Sequence, residues 1–125
     1  FLFILNMLTQ DQKDQLTQLM NDCPIPKLKK VLEEGLPRFI SGEIKPIQKN
    51  SGVITNIQNI YFAPSKECCL LGSALIGKSQ NEEFSFNFDE LTTITGSFDN
   101  RHCRSNYDTE IYDYVSKIRK IIFGC

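Results

Sequence analysis

The sequence predicts an α+β domain, with helices packed on a small antiparallel sheet of about three strands. Three observations predict it. Apolar residues recur at helical spacing near 9–21, 26–36 and 108–123, each stretch bounded by capping signals. Short β-branched and aromatic runs at 53–57 and 60–63 flank Gln58-Asn59, the pattern of a hairpin. Phe84-Ser85-Phe86-Asn87-Phe88 alternates with period two, which reads as a strand with its phenyl rings on one face. At 125 residues and 41% hydrophobic composition, the chain is expected to form a single globular domain over 1–125 around one core.

Each element has a local reason. Thr9-Gln10-Asp11-Gln12 fits a capping box, and Leu16, Leu19 and Met20 follow at helical spacing, so a helix is expected over about 9–21. Pro26 suits the first position of a second helix, whose stripe is Ile25, Leu28, Val31, Leu32 and Leu36. Gly35 and Pro37 are expected to break it, with a short helix over 37–41 stopped by Gly42. Lys49-Asn50-Ser51-Gly52 is a turn signal ahead of the hairpin. Pro64-Ser65 opens an expected helix over 66–76 that carries Cys68 and Cys69 and is closed by Gly77. After the 84–88 strand, Asp89 is expected to cap a helix running to about 95 and stopped by Gly96. Residues 97–107 read as irregular. The last helix, about 108–123, has Ile111, Tyr114, Val115, Ile118, Ile121 and Ile122 as its stripe. Asp108 and Glu110 lie at its start and Lys117, Arg119 and Lys120 toward its end, as the helix dipole favours.

Composition narrows the function classes. A net charge of −1 and a pI of about 5.8 argue against a dedicated nucleic-acid binder, which carries a basic excess. Charge is uneven: Glu82, Glu83, Asp89, Glu90 and Asp99 form an acidic stretch, whereas basic residues gather at Lys27, Lys29 and Lys30 and at Lys117, Arg119 and Lys120. Runs of this kind are usually solvated helix faces; the sharper reading is a bipolar surface that docks a charged partner. Cys23, Cys68, Cys69, Cys103 and Cys125 are odd in number and include an adjacent pair, unlike a secreted disulfide framework, so a reducing, cytoplasmic setting is expected. Residues 1–6, Phe-Leu-Phe-Ile-Leu-Asn, lack the charged region and cleavage site of a signal peptide. They are also far shorter than the roughly 20 apolar residues that span a bilayer. Either Met7 is the natural start and this leader is non-native, or the leader is an interface extension.

The segment around Cys68-Cys69 is the one place with an outline of chemistry. A thiol near a helix N-terminus faces unsatisfied N–H groups that favour the thiolate, and a thiol enzyme also needs a base. The candidate catalytic residues are therefore Cys68 or Cys69 with His102, the only histidine, oriented by Asp99 or Asn100. Glu67 opposes this by raising the pKa of a neighbouring thiol, and plain core cysteines are common. Zinc would need one ligand from each of the pairs Cys68-Cys69 and His102-Cys103, together with Cys23 and Cys125, far from the usual paired spacing. Asp99, Asn100, Asn106 and Asp108 lack the order of a calcium loop and read as caps and turns. The string Gly72-Ser73-Ala74-Leu75-Ile76-Gly77-Lys78-Ser79 matches a phosphate-binding loop letter for letter. Its interior is apolar and helix-forming, however, and a polar loop follows Lys78 where the motif needs a helix. The phenyl rings of 84–88 are of the type that stacks bases, yet their acidic flanks would repel phosphates, and core packing fits them better.

Ser41-Gly42-Glu43-Ile44-Lys45, then Cys68-Cys69-Leu70-Leu71-Gly72, then Asp99-Asn100 and the 107–115 segment resemble a group of small phage and bacterial proteins. That group carries S-G-x-Y-K-Q, a short hairpin, then C-C-L-G-V-L, and ends in a helix. This chain has Ile44 for the aromatic, Pro46 for the glutamine, and an extra leucine before Gly72; its first 35 residues lie outside the likeness. The resemblance implies a phage or mobile-element setting, with the cysteine pair in the core helix, and implies no activity.

The leading expectation is a non-enzymatic interaction protein. It would bind another protein or, as a homodimer, itself, with no nucleic acid, membrane, metal or cofactor. The alternatives are a cysteine-dependent enzyme using Cys68 or Cys69 with His102, and a nucleotide binder at 72–79.

Overall fold

The computed structural model describes residues 8–48, 53–54, 60–61, 67–75, 86–100 and 108–125, with side chains at 53–54, 60–61 and 88 excepted. Helix α1 (Gln10–Asp22) begins as its sequence dictates. The Thr9 hydroxyl accepts the Gln12 N–H at 3.1 Å, and the Gln12 side chain accepts the Thr9 N–H at 2.7 Å. The Gln12 amide also donates to the Ile121 carbonyl at 2.8 Å, so the cap of the first helix ties it to the end of the last.

Helix α2 (Pro26–Ser41) is continuous through Gly35 and Pro37, where a break was expected. Pro37 is exposed, and the buried stripe Leu28, Val31, Leu32, Gly35, Leu36 and Phe39 runs past it on the opposite side. A proline inside a helix costs about 3 kcal/mol. Burying Leu36 and Phe39 in register with Leu28 and Leu32 offsets that cost. Gly42 ends the helix at φ +81°, and its N–H donates to the Phe39 carbonyl at 3.2 Å.

Strand structure is slighter than expected, and its topology differs. Strands β1 (Lys45–Pro46) and β4 (Glu67–Cys68) pair in parallel, Lys45 opposite Glu67 and Pro46 opposite Cys68, and the Ile47 N–H extends the ladder to the Cys68 carbonyl at 3.1 Å. Strands β2 (Val53–Ile54) and β3 (Ile60–Tyr61) pair antiparallel, as the hairpin reading requires. Among the described residues these are two separate two-stranded ladders, and no three-stranded antiparallel sheet is present. The fold is α+β with helices dominant.

The expected strand at 84–88 is corrected at its second half; Phe84 and Ser85 lie outside the described residues. Asn87 is the N-cap of helix α4 (Phe88–Phe98): its side chain accepts the Glu90 N–H at 2.8 Å, and Glu90 accepts the Asn87 N–H at 3.0 Å. This reciprocal cap supersedes both the period-two pattern and Asp89 as the expected cap. The helix also runs through Gly96 to Phe98, because that last turn is buried. Its buried hydroxyls are satisfied within the helix: Thr93 donates to the Asp89 carbonyl and Thr95 to that of Leu91, both at 2.8 Å, and Ser97 to that of Thr93 at 2.6 Å.

Helix α3 (Leu70–Leu75) is short and wholly buried. Helix α5 (Thr109–Phe123) is capped by Asp108, which accepts the Ile111 N–H at 3.1 Å, and ends at Gly124 with φ +79°. α3 lies between α2 and α4, α4 packs on α5, and α1 bridges α2 and α5. Phe98 sits at the centre, stacked on Phe39 with centroids 6.1 Å apart and meeting the edge of Phe123 at 5.4 Å.

Candidate functional site

The cysteine pair does not lie inside a helix, and only Cys69 stands at the start of one. Cys68 ends β4 and Cys69 precedes α3, its carbonyl accepting the Ser73 N–H at 2.9 Å. The expected helix over 66–76 is corrected here, because pairing with Lys45–Pro46 holds Glu67–Cys68 extended. Both thiols are in the core, at 0% and 1% exposure. Burial, with a smaller contribution from Cys69, pushes the Cys68 thiol up from its ordinary 9.0 to about 12, against an opposing pull from Arg38. Burial likewise raises Cys69 to about 11, although the backbone N–H groups of Gly72 and Leu71 pull the other way. The helix-terminus effect anticipated from the sequence is thus present at Cys69, and desolvation outweighs it. Cys23 is also raised by burial, and its thiol donates to the Ile25 carbonyl at 3.6 Å. His102, the candidate base, and Cys103 lie outside the described residues, as does Asn106.

A polar clamp fixes this core segment. Ser73 donates to the Gly35 carbonyl at 2.8 Å, and Arg38 donates to the Ser73 carbonyl at 3.1 Å. Of the string that matches a phosphate loop, Gly72, Ser73, Ala74 and Leu75 are helical and buried, while Ile76, Gly77, Lys78 and Ser79 lie outside the described residues. Among the described residues, no three His, Cys, Asp or Glu side chains converge as a metal ion requires, and no helix is long and apolar enough to cross a membrane.

The C-terminal basic cluster divides in two. Arg119 is only 6% exposed and donates to the Ser97 carbonyl at 2.7 Å, the Ser116 hydroxyl at 3.3 Å and the Cys125 carbonyl. It joins α4, α5 and the residues after α5. Lys117 and Lys120, by contrast, are exposed and rim an open groove of about 440 Å³ between α1 and α5. Gln15, Gln18 and Leu19 of α1 and Ile121 of α5 complete its lining, whose accessible surface is almost entirely apolar. The two helices run antiparallel here, with Gln12 beside Ile121 and the Tyr114 hydroxyl donating to the Leu19 carbonyl. Lys117 lies over the Tyr114 ring at 5.6 Å, which steadies its stem on the rim.

Sequence reasoning placed Leu19 and Ile121 in their helices' apolar stripes without placing them beside one another. The available signal was that both stand at the edge of a stripe, next to glutamines or lysines, where burial is incomplete. No protein-family model, curated protein or solved structure matches this chain.

Proposed function

We propose that this chain is a non-enzymatic interaction protein that binds a protein partner on the face where α1 and α5 meet. The observation that carries the reading is the open groove lined by Leu19 and Ile121, apolar side chains that pack on the edge of the core and stay partly exposed. The state of the thiols supports it: Cys68 and Cys69 are buried and held protonated, the reverse of what a thiol nucleophile needs.

Alkylation with limiting iodoacetamide near neutral pH tests this reading against a thiol enzyme. The expected result is rapid modification of exposed Cys125, with Cys68 and Cys69 reacting only when denaturant is added. Rapid stoichiometric reaction at Cys68 or Cys69, abolished by His102→Ala, would replace the proposal with cysteine catalysis. A Mg²⁺-dependent thermal shift with ATP that Lys78→Ala removes would replace it with nucleotide binding.

The same burial predicts alkaline sensitivity. The folded thiols titrate near 12 and 11 and the unfolded ones near 9.0, so the unfolded state loses its protons first as pH rises. This contribution to stability is complete below pH 9 and is lost as pH rises through 11 to 12. A variant with alanine at both positions should show a shallower fall in urea midpoint over that range than the parent.

A further inference from the structure

We draw no further inference here: the strongest candidate, the open groove between α1 and α5, belongs to the docking face already described, and nothing in the structure shows what covers it.

Discussion

Gly35→Val is expected to destabilise the fold by about 3 kcal/mol, through overpacking where α2 crosses α3. A Cβ at Gly35 would lie 3.1 Å from both the Cδ1 and the carbonyl oxygen of Leu70 and 3.3 Å from the Ala74 nitrogen. Two of those three atoms are backbone, so no rotamer change relieves the contact and α3 itself must move. Moving it also stretches the Ser73 to Gly35 hydrogen bond, at 2.8 Å, and with it the Arg38 contact to the Ser73 carbonyl. Gly35→Ala is a graded control: its gain in helix propensity, about 1 kcal/mol, opposes a smaller clash, so it should fall well short of valine. Urea unfolding followed by circular dichroism measures both. A valine variant with the parent's midpoint would show that α3 does not approach α2 as closely as described.

Phe98→Ala should cost about 4 kcal/mol, because it deletes the largest fully buried side chain among the described residues and leaves a cavity that three helices border. The ring stacks on Phe39 of α2 at 17° and meets Phe123 of α5 edge-on at 76°, so the loss includes aromatic contacts as well as buried area. Phe123→Ala, at a partly exposed position, should lose markedly less. Equal losses at the two positions in thermal or urea unfolding would contradict a core centred on Phe98.

Both residues stood in the sequence without their roles. Gly35 reads there as a helix breaker, since glycine weakens a helix in isolation; its value lies in what it lets approach, which is another segment of the chain. Phe98 falls after Gly96, where the sequence suggests irregular structure, and is helical because that turn of α4 is buried against α2 and α5. The 84–88 pattern misled for a different reason. Alternating phenylalanines and an Asn-x-x-Glu box compete over the same residues, and the box satisfies two backbone N–H groups at once.

The candidate site follows the same division. The cysteines are conspicuous as letters, and their adjacency to a helix start invites a reactive reading; their exposure, which decides reactivity, is removed by pairing of Cys68 with β1 and by burial of both in the core. The edge-of-stripe positions of Leu19 and Ile121 hint at incomplete burial, but their meeting in one groove has no local signature, because Gln12 and Ile121, which fasten its two walls together, are 109 residues apart in the chain.

What the sequence by itself determined are the features that act within one helical turn. These include the Thr9–Gln12 and Asp108 caps, the proline opening α2, the glycine stops at Gly42 and Gly124, and the apolar stripes that assign the longer helices. What only the tertiary structure decided is where those stripes end and meet. It carries α2 unbroken through Pro37, extends Cys68 and buries it, separates Arg119 from Lys117 and Lys120, and leaves Leu19 and Ile121 partly exposed in one groove. The physical reason is one of range. Capping and helical periodicity are satisfied by neighbours three or four residues away, whereas desolvation depends on every segment that covers a side chain, wherever it lies along the chain.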